Sequence, residues 1–132
     1  MSDIQTHFIK NILAGMEMRL KDEGTAFAPA NIALCKYWGK RDASLNLPVN
    51  SSLSVSLGHL GAHTRIRPSV REAVYLNGQA VPLEDPFALR IIDFLQPFRE
   101  PLGGIRLEVR TENNIPTAAG LASSASGFAA CC

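Results

Sequence analysis

Residues 116 to 127 read PTAAGLASSASG. Small side chains and Gly120 let the backbone approach a ligand closely before a helix begins around Leu121. A turn of this kind presents unpaired N–H groups, and the helix start adds the positive end of its macrodipole. The hydroxyls of Ser123 and Ser124 supply further donors, or oxygen ligands for a Mg²⁺ ion carried on a phosphate. The residue chemistry therefore predicts a phosphate cradle, although composition alone equally suits a closely packed helix whose Ala and Ser residues permit tight contact. No Gly-Lys-Ser/Thr follows the glycine and GxGxxG is absent, so the segment is neither a Walker A loop nor a dinucleotide-binding fingerprint.

Any anion site has to be local. The formal net charge is +1, from 13 Lys and Arg against 12 Asp and Glu, so no global field recruits nucleic acid or an anionic membrane. Cys35 and the adjacent Cys131 and Cys132 are badly spaced for a disulfide framework, and no CxxC or His cluster offers metal-ligand spacing. Charged residues from Lys10 to Glu23 interrupt every apolar run of the N-terminal segment, which excludes a secretory signal or a membrane span there. Cysteine usage and the missing signal predict a cytoplasmic protein.

Along the chain, Ile9, Leu13, Met16 and Leu20 at helical spacing predict an amphipathic helix that stops at Gly24. The apolar run Ala26 to Trp38 predicts a buried strand, punctuated by Pro29 and passing into a polar turn over residues 39–46. Leu53, Val55 and Leu57 alternate with serines, and after a Gly-containing loop residues 63–67 alternate again, predicting two half-buried strands. Asn77-Gly78 between two apolar runs predicts a type I′ hairpin. Asp85-Pro86 reads as an N-cap and first turn. The stripe Phe87, Ile91, Phe94, Leu95, Phe98 predicts a helix ending near Pro97 or Pro101. Residues 104–111 predict a strand with one wet face, and a small-residue loop begins at Asn113. This order predicts an α+β fold with strands linked mainly by hairpins and not by crossovers. The apolar GFAACC at the end has helical spacing and no C-cap, so the text is expected to break off in mid-helix.

Tyr37, Trp38 and Lys40 carry the remaining chemistry. A lysine ammonium supplies a full charge and three donors, and a phenol adds a directional hydrogen bond, which together suit a diphosphorylated ligand. Taken without further context, two aromatics at a strand end are more often core residues, and Lys40 with Asp42 is more often a solvated turn. Arg90 on the flank of the predicted helix reads equally as a surface arginine. Asn31, Ser51 and Ser52 suit backbone hydrogen bonding as well as ligand contact. His7, His59 and His63 form no spaced ligand set and read as surface residues.

Pro-x-x-x-Gly-Leu-x-Ser-Ser resembles the phosphate-binding loop of the GHMP kinase superfamily. NNIPTAAGLASSASGFAA and, upstream, APANIALCKYWGKRDASLNLPVNSSLSVSL resemble the diphosphomevalonate decarboxylase branch, in the same order. The kinases of the superfamily carry Gly-Glu-His at the early position, where this chain has Lys36-Tyr37-Trp38-Gly39-Lys40. The resemblance runs from about Thr25 to the end. It therefore implies an N-terminal extension over residues 1–24, expected to be helical, and the start of a GHMP-kinase-type domain (ribosomal protein S5 domain 2-like) over 25–132, incomplete at its end.

That resemblance also implies a function. Mevalonate 5-diphosphate is phosphorylated by ATP with Mg²⁺ and decarboxylated to isopentenyl diphosphate. Tyr37, Trp38, Gly39 and Lys40 are assigned to the substrate, with Arg90 in a helix position similar to that of a substrate-contacting arginine. Pro116, Ala119, Gly120, Leu121, Ala122, Ser123 and Ser124 are assigned to ATP phosphates, with Mg²⁺ at Ser123 or Ser124. The family's catalytic aspartate and carboxylate-holding arginine belong beyond residue 132, so no catalytic residue is expected in this chain and the isolated chain is expected to be inactive. The full-length parent is expected to be a homodimer acting on a small molecule, with no nucleic-acid or membrane partner. Two alternatives stay open: another GHMP phosphotransferase, such as a mevalonate 3-kinase or phosphomevalonate decarboxylase, or a non-catalytic domain fragment.

Overall fold

Asn77 and Gly78 stand at φ +49° and +80°, the left-handed pair that a two-residue type I′ turn demands. They join strands β5 (Ala73–Leu76) and β6 (Gln79–Val81), paired antiparallel. In the computed structural model, residues 11, 14, 20–36, 38–43, 45, 47–115, 127 and 129–131 are described. The amphipathic helix expected near the N-terminus falls almost wholly outside the described residues.

Helix α1 (Pro86–Arg99) starts as its sequence predicts. Asp85 has extended backbone, and its Oδ1 accepts a 2.8 Å hydrogen bond from the Phe87 amide, while Pro86 occupies the first turn, where no partner for its nitrogen is needed. The helix passes through Pro97 and ends at Arg99, where a 3-10 turn, Glu100–Leu102, takes over. Ala88, Ile91 and Leu95 are buried against Val74 of β5 and against Leu107 and Val109 of strand β7 (Arg106–Asn113). This is the larger of two apolar clusters among the described residues. Phe87, Phe94, Ile66 and Val81 pack around it.

The main sheet has five strands in the order β1-β4-β7-β5-β6, where β1 is Gly24–Cys35 and β4 is Leu53–Ser69. β7, last in sequence, lies between β4, to which it is antiparallel, and β5, to which it is parallel. The α+β reading stands, and the expectation that crossovers are absent is corrected. The α1 connection is a crossover that returns the chain to the middle of the sheet, because only there can Leu107 and Val109 meet the apolar stripe of the helix.

Two further expectations are corrected. The predicted pair of strands between residues 52 and 67 is one strand, β4, whose register with β1 jumps from Pro29↔Gly61 to Asn31↔Ser56. The extra β4 residues form a bulge with Gly58 at φ +61°, which bends the strand without ending it. β1 is also not a buried strand. It is the edge of the sheet, where Pro29 costs no ladder bond, and only Ala28 and Ala30 along it are buried. Ala28 packs with Ala62 and Ala130, the smaller apolar cluster. A two-stranded sheet, β2 (Lys40–Asp42) with β3 (Leu47–Pro48), completes the described elements.

Candidate functional site

β7 pairs with β4 only from Ala62 onward. Beyond the bulge, residues 31–35 of β1 and 53–56 of β4 therefore have only each other, and they run out from the sheet as a two-stranded arm. Leu34, expected in a buried strand, and Leu53, expected in a half-buried one, are 65% and 60% exposed on this arm, because no layer of described residues covers it. Ile32 and Val55 face each other in register and are also exposed. A contiguous apolar patch of this kind marks a surface built to be covered. On the other face of the arm, a groove of about 420 Å³ is lined by Asn31, Ala33, Lys36, Ser52 and Ser54. Across it the Asn31 side-chain amide donates to Ser54 Oγ at 3.1 Å.

The arm ends in the turn that carries the candidate substrate residues. The Trp38 amide donates to Asn50 Oδ1 at 3.3 Å, and Val49 N donates to the Gly39 carbonyl at 3.4 Å. Lys40 then pairs with Pro48 in the β2–β3 ladder. The Leu45 amide donates to Asp42 Oδ1 at 2.9 Å, closing an Asx-type turn. Backbone and short polar side chains thus hold this turn, leaving Trp38 at 86% exposed. Among the described residues that indole belongs to neither apolar cluster. Tyr37 lies outside the described residues.

The structure brings Trp38, Gly39 and Lys40 together and leaves Arg90 elsewhere. Arg90 is exposed on α1, whose buried side packs on β5 and β7 and not on the β2–β3 hairpin. Pro116, Ala119, Gly120, Leu121, Ala122, Ser123 and Ser124 lie outside the described residues. Both flanks of that segment are described. On one side Ile115 is buried. On the other, Ala130 is buried on Ala28 and Ala62, and Cys131 Sγ donates to the Gly127 carbonyl four residues earlier, at 3.3 Å.

Asn114 was missed in the sequence. Its Oδ1 accepts from the Gly61 amide and its Nδ2 donates to the His59 carbonyl, both at 2.7 Å. Its partners are 53 and 55 residues away, and the only local signal was an asparagine at the start of the loop. Gly61 was missed as well: a Cβ built there would overlap the carbonyl oxygen of Ala28, so β1 and β4 approach each other at a point where only glycine fits.

The face of the sheet away from α1 carries a charged cluster. Glu108 is 9% exposed; its Oε1 lies 2.6 Å from Arg110 Nε and 2.9 Å from Arg67 Nη2. The Arg110 guanidinium, and after it that of Arg67, holds the Glu108 carboxyl below its ordinary value, against the opposing effect of burial. Arg110 also sits 4.0 Å over the Tyr75 ring, a cation–π contact that fixes its direction. His63, Arg65 and Glu112 extend the cluster beside a groove of about 380 Å³.

Among the described residues no group of three His, Cys, Asp or Glu side chains is placed to hold a metal ion, and no helix is long and apolar enough to cross a membrane.

A mixed sheet with its last strand inserted centrally, a helix on one face and a small-residue segment leaving the central strand define a GHMP-kinase-type α+β domain. The chain belongs to the diphosphomevalonate decarboxylase-like N-terminal domain family, whose model matches residues 28–132. It is similar to the diphosphomevalonate decarboxylase of Schizosaccharomyces pombe, with 44% identity over 124 residues, covering 82% of this chain and 32% of that protein. Among solved structures, mevalonate diphosphate decarboxylase from Staphylococcus aureus aligns with a TM-score of 0.70 and 38% identity, over 83% of this chain and 34% of that one. A second, MDDEF in complex with MVAPP, AMPPCP and magnesium, aligns with a TM-score of 0.62 and 37% identity, over 83% and 34% of the two chains. The chain thus spans about a third of the length of the curated relatives it matches.

Proposed function

We propose that the family-length protein carrying this chain catalyses the ATP-dependent decarboxylation of mevalonate 5-diphosphate to isopentenyl diphosphate, and that these residues form one wall of its site. The observation that carries the reading is the family match across residues 28–132, which takes in both the Lys40 turn and the Pro116–Ser124 segment. The same match disfavours the two alternatives, a simple phosphotransferase and a non-catalytic domain.

In this reading Tyr37, Trp38, Gly39 and Lys40 receive the substrate diphosphate at the tip of the arm. The ammonium offers charge-assisted hydrogen bonds, and the exposed indole offers an apolar wall. Arg90, which the family resemblance assigns to the substrate, stands on α1 and not on this turn, and would offer its cation from a separate element. Backbone amides at Ala119, Gly120, Leu121 and Ala122, following Pro116, hold ATP phosphates, because small residues leave those amides accessible. The hydroxyls of Ser123 and Ser124 are hard oxygen donors of the kind Mg²⁺ accepts while keeping phosphate and water in most of its shell. When bound, the ion neutralises phosphate charge.

The reaction asks for positioning more than for covalent chemistry. The C3 hydroxyl oxygen bonds to the γ-phosphorus of ATP, ADP departs, and the hydroxyl proton goes to a base outside these residues. The C3–O bond then breaks with its electrons leaving on phosphate. The C1–C2 pair becomes the C2–C3 double bond, and C1 leaves as carbon dioxide.

Residues 1–24 are read as an extension to this domain, the family-length protein as a homodimer, and its location as cytoplasmic. The deciding assay incubates the purified family-length protein with mevalonate 5-diphosphate, ATP and Mg²⁺ and measures carbon dioxide and phosphate. Equal yields of the two support the proposal; a stable 3-phosphorylated product without carbon dioxide, or activity on mevalonate or mevalonate 5-phosphate in its place, overturns it. Residues 1–132 alone are expected to release none.

A further inference from the structure

The end of β7 leaves a problem at the bulge that the β-ladder does not solve. Five β4 positions, from Gly61 back to Leu57, correspond to two on β1 before Ser56 resumes pairing with Asn31, and pairing with β7 stops at Ala62↔Asn113, so the backbone groups of His59 and Gly61 that point to the β7 side have no strand residue opposite them. Unpaired amides and carbonyls in a half-covered position are costly. Asn114 satisfies them. Its Oδ1 takes the Gly61 N–H and its Nδ2 gives to the His59 carbonyl, both at 2.7 Å, and its own amide donates to the Gly61 carbonyl at 3.2 Å. Only an uncharged amide meets this pattern with one side chain, since it must accept at one atom and donate at the other within a single plane.

These bonds lie at the root of the arm. On one side of the bulge, β4 is locked between β1 and β7; on the other it has only β1, and the Trp38–Lys40 turn stands at the far end. A small change of angle at the bulge is multiplied along the arm. Asn114, at the end of β7, is bonded to the backbone at the point where that angle is set.

We propose that Asn114 is a positioning residue: by bridging His59 and Gly61 it fixes the arm, and through the arm the Lys40 turn, against the body of the sheet. The part that concerns catalysis rests on the substrate role given to that turn above; the mechanical part does not.

Trp38 makes the mechanical part measurable, because it is the single tryptophan of the 132 residues and sits at the arm's tip. In the 132-residue chain, Asn114→Ala should lower the amplitude of the slow component of Trp38 anisotropy decay in favour of the fast one, reporting a looser arm. Thr111→Val, a change within the sheet and away from the bulge, serves as the control for general destabilisation and should leave the decay as it is. In the family-length protein, Asn114→Ala should lower kcat/KM for the diphosphorylated substrate by about tenfold to a hundredfold, the range for misplacement at a distance. KM for ATP should change less. Should Asn114→Ala fail to fold, Asn114→Asp, which keeps the acceptor for Gly61, takes its place with an intermediate effect. Unchanged Trp38 motion in the Asn114 variant, or equal loosening by Thr111→Val, overturns the proposal. So does a rise confined to the KM for ATP. If the wild-type protein does not decarboxylate mevalonate 5-diphosphate, the functional reading fails while the anisotropy result still decides the role of Asn114.

Discussion

Thr64 and Thr111 face each other directly across the β4–β7 ladder, their Oγ1 atoms 3.1 Å apart and both side chains almost fully buried. Each hydroxyl is the other's partner in an otherwise apolar layer. Replacing one by valine strands the other, at a cost of about 1 to 3 kcal/mol. Replacing both removes the need for either and should cost less than the two single changes added together. Urea unfolding of the two single variants and the double variant checks this through the coupling energy; strict additivity would show that the pair does not act as a unit.

Glu108 gives the fold a pH dependence with a defined sign. Its carboxyl titrates below its ordinary value in the folded chain because Arg110 and Arg67 bond to the charged form. The contribution to stability is thus complete above the unfolded value, about 4.3 for a glutamate, and is lost as pH falls through the lower folded value. Glu108→Gln should be less stable than wild type at neutral pH, and the gap should close as acid is added. A gap that stays constant down to strong acid would remove Glu108 from the acid response.

Two glycines of the bulge separate crowding from backbone conformation. Gly58 stands at φ +61° with open space where a Cβ would go, whereas at Gly61 a Cβ would meet the backbone of Ala28 and Pro29. Gly58→Ala should cost about 1 to 2 kcal/mol, the penalty of a left-handed conformation. Gly61→Ala should cost more, because backbone cannot step aside as a side chain can. Melting temperatures of the two variants test the order.

In the family-length protein, Lys40→Met should weaken binding of mevalonate 5-diphosphate by about 1.5 to 3 kcal/mol, the scale for losing hydrogen bonds to a charged group. Titration calorimetry reads it directly, and an unchanged dissociation constant would withdraw Lys40 from the substrate site.

Replacing Ser123 and Ser124 together by alanine should reduce turnover or affinity for Mg·ATP while leaving the fold intact, since alanine preserves close backbone approach. Kinetics in ATP, paired with circular dichroism, distinguish the outcomes. Normal ATP kinetics would assign the two serines to packing.

What could be read from the sequence was what local rules decide. The Asn77-Gly78 turn, the Asp85 cap and the apolar stripe of α1 each depend on residues within one turn of one another, and each is where the sequence puts it. The apolar run 26–38 was misjudged because apolarity reports a need for cover and not the identity of the cover: Ile32 and Leu34 are exposed on the arm. The single long β4 was divided at Gly58 because a glycine that bends a strand and one that ends it look alike until a partner strand is known. Asn114 was beyond reach for a related reason, its partners being set by pairing over more than fifty residues. The candidate turn at Trp38–Lys40 was visible by family resemblance, but its place at the end of an unsupported ribbon was not.

The position of β7 in the sheet sets an order of events during synthesis. The β1–β4 ribbon and the β5–β6 hairpin can each form as soon as their residues leave the ribosome, but they do not touch in the sheet until β7 lies between them. Until Asn113 has emerged, β4 and β5 both present unpaired edges, and the apolar stripe of α1 has only half of its floor. A chain released short of residue 106 would thus carry two open sheet edges, a state prone to pairing with other chains.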